Sequence, residues 1–307
     1  MPYPLSKLPY GLRCRLTELT TPVERYNLQI AAGNLSICPL KLQHIQKSCY
    51  NPTFSSENGM IVLLDDTTTI TFVEDTLIMC ENTISMTGLS LEDLTSKVFG
   101  HILFRNAVLM LNDCEFSKTF FFTLRSIFSD WCAIDFYSNT NNILNFNDVL
   151  TFFPNLWSIS THCRINNTWI NDIVQLGIRS LSDLTLFFNH PLAKFEKFWA
   201  QDLLSLLKAQ RSGFSLSIEV TDDTKEFERF FRELKQFMDR NEILFQQSSS
   251  IGDVFIVKYP TRLNVVYSSN SGTQGRSRDE SSIFNEAKVL PKIEVTASSR
   301  EKQGPPL

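Results

Sequence analysis

The sequence predicts an α/β fold: a short three-helix module, then an irregular domain of mostly parallel strands and helices, closed by a C-terminal hairpin. Three observations carry that expectation. Leucines recur at helical spacing near the N-terminus. Five short segments between residues 109 and 221 share one apolar-x-apolar pattern, with helical stretches between them. The residues from 253 to 267 then alternate apolar positions around Pro260-Thr261-Arg262, which reads as two antiparallel strands.

The first element is the helical module, residues 1–50. Leu8-Pro9 opens it, and Leu12, Leu16 and Leu19 follow at helical spacing. Thr21 reads as an N-cap, with Pro22 at the first helical position, where its missing N–H costs nothing. Val23, Tyr26 and Ile30 stripe the second helix, and Gly33-Asn34 stops it. Leu40, Leu42 and Ile45 after Pro39 predict a third. Three helices this short bury little surface alone, so the module is expected to lean on a partner or on the next domain.

The second domain is predicted over residues 51–267. Asn51-Pro52 and Asn58-Gly59 are turn signals. Met60–Leu64 and Thr67–Val73 flank Asp65-Asp66 as a hairpin, Leu77–Thr87 fits either period, and Leu91–Phe104 reads as a helix. The five patterned segments are Leu109-x-Leu111-x-x-Cys114, Ile134-x-Phe136-x-x-Asn139, Trp157-x-Ile159-x-x-His162, Leu184-x-Leu186-x-x-Asn189 and Leu216-x-Ile218-x-x-Thr221. Between them, Phe116–Ile127 reads as a buried helix, and Phe195, Phe198, Trp199, Leu203, Leu206 and Leu207 form an apolar stripe. A short strand plus a helix roughly every 20 to 30 residues is the leucine-rich-repeat plan, here in irregular form. An ordinary α/β domain with accidental spacing is the alternative. Lys225–Arg240 predicts a strong helix with Phe227, Phe230, Phe231, Leu234 and Met238 inward. Residues 268–307, rich in Ser, charge and Pro, read as a disordered tail.

Composition narrows function by exclusion. A net charge of −4 supplies no basic face for nucleic acid. No apolar run reaches membrane-span length, and prolines at 2, 4 and 9 interrupt any signal-peptide core, so a cytoplasmic or nuclear location is expected. The 7 cysteines follow no paired framework and include no CxxC, so neither disulfides nor a metal site is expected. The 4 histidines, His44, His101, His162 and His190, lack ligand spacing. His162 and Cys163, as strand neighbours, point to opposite faces and cannot easily pair. Asp65-Asp66 and Asp222-Asp223 are accounted for by a turn and a helix cap. No nucleotide or hydrolase motif occurs, so an interaction protein with no cofactor is expected rather than an enzyme.

The N-terminal residues Leu8, Pro9, Leu12, Leu16, Leu19, Pro22, Tyr26, Leu28 and Ile30 resemble an F-box. With the repeat segments and the terminal stretch from Gly252-Asp253-Val254 to Val265-Val266, the chain to about residue 267 is similar to nematode F-box proteins that carry an F-box-associated domain. The resemblance implies that these nine residues bind a Skp-type subunit of a cullin ubiquitin ligase. It also implies that the repeat domain recruits a target protein. A protein-binding scaffold unconnected to ubiquitin, with a divergent F-box-like N-terminus, is the rival expectation.

Overall fold

Alternation along each strand decides which face is core and which is open. The computed structural model describes residues 7–32, 42–65, 68–73, 75–128, 133–138, 142–188, 198–211, 213–220, 225–241, 244–248 and 262–267. They belong to one unit, Met1–Asn270; a second, Ser271–Leu307, lies outside the described residues, and with it the expected tail.

Two helices come first, α1 (Tyr10–Leu19) and α2 (Pro22–Ala32). The expected cap is present: Glu24 N–H donates to Thr21 Oγ1 at 3.3 Å, and Thr21 N–H donates back to Glu24 Oε2 at 2.8 Å. The expected third helix is corrected. Residues 42–46 run extended, and Lys47–Tyr50 is a strand, β1. Tertiary hydrogen bonds outweigh the helical spacing of Leu42 and Ile45. Buried Gln43 donates through Nε2 to the Asp75 carbonyl at 2.8 Å, and Gln46 accepts the Leu77 N–H. The sheet therefore begins inside the stretch expected to be helical.

Strands β2 (Thr53–Glu57), β3 (Met60–Asp65) and β4 (Thr68–Ile70) form an antiparallel meander. Asn58 and Gly59 turn the first hairpin, both at positive φ (52° and 75°), as a two-residue hairpin turn with right-handed strand twist requires. The undecided stretch is a strand, β5 (Ile78–Thr87), parallel to β1 and β2. The expected helix over 91–104 is corrected in part. Ser90 caps a short α3 (Leu91–Leu94), Ser96 starts a 3-10 turn (Lys97–His101), and Ile102 opens β6 (Ile102–Asn112).

From β6 onward, strand and helix alternate: α4 (Lys118–Ile127), β7 (Ala133–Tyr137), β8 (Ile143–Leu144), α5 (Phe146–Phe152), β9 (Ser158–Thr161), β10 (Arg164–Ile165), α6 (Trp169–Gln175), β11 (Asp183–Phe188), α7 (Ala200–Ala209), β12 (Ser215–Val220) and α8 (Lys225–Arg240). Strands β6, β7, β9, β11 and β12 lie side by side in chain order, all parallel. One register row joins Leu109, Ile134, Ile159, Leu184 and Leu216, each fully buried. The third patterned segment is thereby moved by two residues: Ile159 and Thr161 take the inward positions, and Trp157 stays 46% exposed ahead of the strand. Helices α4 to α8 pack in sequence against that inward face, and Phe120, Phe121, Leu203, Leu206 and Phe231 share one core with the strands. Phe116 meets Phe136 edge-on at 5.5 Å, a favourable quadrupole arrangement. Trp199, expected in the stripe of α7, is 80% exposed because the helix starts one residue after it.

The C-terminal hairpin is also corrected. Its first arm lies outside the described residues. Its second, β14 (Arg262–Tyr267), is parallel to β12 on one side and to β13 (Leu244–Ser248) on the other. With both edges taken, β14 has no room for an antiparallel partner in the sheet.

Candidate docking surfaces

The nine residues singled out near the N-terminus lie on two helices that offer more apolar surface than they bury. Helix α1 contains no buried residue. Leu12 is 56% and Leu19 68% exposed, with Tyr10 at 56% and Ile30 at 66% beside them in the sequence of exposures. Leu8, Leu16, Tyr26 and Leu28 are half-buried, Pro9 is exposed, and Pro22 is buried. The Pro9 carbonyl accepts the N–H groups of Leu12 and Arg13, starting α1.

Helix α2 is fastened to the sheet domain. Arg25 Nη1 donates to Asp75 Oδ1 at 2.8 Å, with the arginine side chain only 12% exposed. The Gln29 side chain brackets Gln43, donating to its carbonyl at 3.1 Å and accepting its N–H at 2.6 Å. Gly100 lies under Thr21; a Cβ there would come within 2.9 Å of Thr21 Cγ2, so only glycine permits the approach. The apolar residues of α1 are thus presented from a fixed base.

The second surface is the sheet face turned away from the helices. It is built from the x positions of the repeated pattern, which share a face by the two-residue strand period. One register row runs Ser85, Met110, Asp135, Ser160, Thr185 and Ser217. Another runs Ala133, Ser158, Asp183 and Ser215. A third aligns Asn112 with Tyr137, and Phe187 with Glu219. His162 continues β9 into this third row, its N–H bonded to the Phe136 carbonyl at 2.8 Å. The three rings stack: Tyr137 on His162 at 4.4 Å, and His162 on Phe187 at 3.9 Å with only 5° between planes. Cys163 faces the core, as the alternation expected of neighbours requires.

Carboxyl groups on this face are held in poorly hydrated positions. Burial, with a contribution from the charge of Asp183, pushes Asp135 up to about 6. Burial also raises Asp183, against a 3.0 Å hydrogen bond from Thr185 Oγ1. Burial alone raises Glu219, and burial with the Asp135 charge raises Tyr137. Strands β7, β9, β11 and β12 carry no Lys or Arg to offset these acids. Sequence reasoning missed this surface because the x positions were read only as spacers; aligning the segments and reading those positions down the column would have exposed it.

Cys80, Cys114 and Cys163 are buried thiols raised by burial, Cys114 and Cys163 to about 12, so they stay protonated and unreactive. Among the described residues no group of three or more His, Cys, Asp or Glu is placed to hold a metal, and no helix is long and apolar enough to cross a membrane. No family model, curated protein or solved structure matches the chain.

Proposed function

We propose that this chain is a recruiting adaptor of a cullin-type ubiquitin ligase, with a Skp-type subunit on the N-terminal helices and a target protein on the open sheet face of an irregular leucine-rich-repeat-like domain. The observation that carries the reading is the apolar exposure of α1 and α2 on a fixed base. Leu12, Leu19 and Ile30 are more than half exposed, while Arg25 and Gln29 lock α2 to the sheet domain. Exposed leucines on helices already held in place lose little further entropy when they enter a groove, which favours a helix-in-groove contact. No covalent chemistry and no cofactor enter this reading.

One observation favours the second reading, a scaffold unconnected to ubiquitin. Residues 42–46 are extended where the resemblance implies a third helix, so a groove built for three helices meets two among the described residues. Co-expression of the full tagged chain with a Skp-type subunit separates the two. Stoichiometric co-purification supports the adaptor. Its absence, with the chain folded by circular dichroism, leaves the scaffold.

A further inference from the structure

We propose that the open face of β7, β9, β11 and β12 takes an arginine-bearing segment of the partner protein, with one guanidinium seated between the outer face of Phe187 and the carboxylate of Glu219. The proposal deepens the target-binding half of the function above and rests on it.

The ring stack sets the position. Tyr137, His162 and Phe187 occupy successive strands, and the next strand carries Glu219 in register with Phe187. The stack ends at Phe187, and the adjacent place on the sheet is a carboxylate instead of a fourth ring. A planar cation can continue the stack there and meet that carboxylate at its edge. Guanidinium is flat, weakly hydrated and able to donate two parallel hydrogen bonds, so it suits the place better than an ammonium group.

Charge argues for the same occupant. Asp135 and Glu219 form no hydrogen bond or ion pair among the described residues, and burial disfavours the charged form of each. An unpaired acid in a poorly hydrated position is a functional-site signal, since a partner's cation would relieve it. Arg105 lies next to Glu81 on β5 and β6, away from this region, and Arg262 begins β14 in register with Ser215, at the other end of the strand from Glu219. From strand spacing and rise, Asp135, Asp183 and Glu219 are roughly 12–16 Å apart. Side chains at i and i+4 of an extended segment are spaced about 13 Å, so two arginines four residues apart reach two of these acids.

The test uses the full chain and three fluorescent peptides of one length: arginines every fourth residue in a Ser/Gly background, the same with lysines, and the same with glutamates. Fluorescence anisotropy should show the arginine peptide binding at micromolar concentration, the lysine peptide at least threefold more weakly, and the glutamate peptide not at all. Glu219→Gln and Phe187→Leu should each weaken the arginine peptide at least fivefold, and Asp135→Asn at least threefold, with melting temperatures no lower than the parent's. Equal affinity for lysine and arginine, unchanged affinity in folded Glu219→Gln, or no binding overturns the proposal. So does a dimer, seen by light scattering, that Glu219→Gln dissociates, since a second copy would then cover the face. Binding of the arginine peptide by a chain that fails to co-purify a Skp-type subunit upholds the surface and removes only the ubiquitin half of the function.

Discussion

Asp135 is the residue whose environment makes the sharpest prediction. It stands at a half-buried place on the open face, and burial first, then Asp183, raises its carboxyl to about 6. An acid whose folded value lies above its unfolded one favours folding while protonated. That contribution is complete below the ordinary value near 3.8 and is lost as pH rises through about 6. Asp135→Asn should therefore stabilise the chain at pH 7.5 by about 2 kcal/mol, raising the melting temperature by roughly 4 to 8 °C. At pH 4 the two proteins should melt together; a destabilised variant at pH 7.5 would show that the carboxylate has a partner. Opposite behaviour belongs to Asp93. Burial pushes it up, but hydrogen bonds from Ser90 and Ser56 win and hold it below its ordinary value, so its contribution is lost at low pH. Residues were unequally legible in the sequence. Thr21 and Pro22 declare themselves because a cap is local, whereas Asp135 and Phe187 become neighbours of a common surface only through strand register.

At the scale of elements, what was legible is what local periodicity controls. Strands β6, β7, β11 and β12 follow from alternate apolar residues, and α4 and α8 from apolar residues three and four apart. β9 was found but read two positions early, because Trp157 imitates an inward apolar residue. The helix expected over 91–104 has true helical spacing at Leu91, Leu94 and Val98, but the caps at Ser90 and Ser96 divide it before Ile102 enters the sheet. The third N-terminal helix and the closing hairpin failed for a nonlocal reason: the first yields to side-chain bonds with residues 75–77, the second to parallel pairing with β12 and β13. The attachment of α2 is testable at this scale. Arg25→Ala removes the bonds to Asp75 Oδ1 and to the Thr20 carbonyl, a loss of about 1.5–3 kcal/mol for a charged donor. Amide exchange in α1 and α2 should accelerate roughly tenfold or more, with β7 and β11 unchanged, if the helices open without the sheet. Equal acceleration in both places would mean that helices and sheet unfold together.

The whole molecule presents two surfaces made in different ways. The helical pair exposes apolar side chains on a fixed base, and the sheet face exposes acids and stacked rings against a core of leucine and phenylalanine. Core and surface separate cleanly along each strand, so the open-face residues can change without disturbing the inward row that holds the layers together. The core should be correspondingly intolerant: Phe136→Ala, at a fully buried position, should cost about 3–5 kcal/mol by chemical denaturation, and a loss under 1 kcal/mol would contradict the packing described. The central claim, that the exposed leucines of α1 dock a Skp-type subunit, is tested most directly by calorimetric titration of that subunit into the parent chain and into Leu12→Asp/Leu16→Asp. Leu12 is exposed and Leu16 half-buried, so the double variant should keep the parent's circular dichroism. A groove that buries either carboxylate unpaired should reject it. The account predicts micromolar or tighter binding by the parent and at least a hundredfold loss in the variant. No binding by the parent, or equal binding by both, would contradict it.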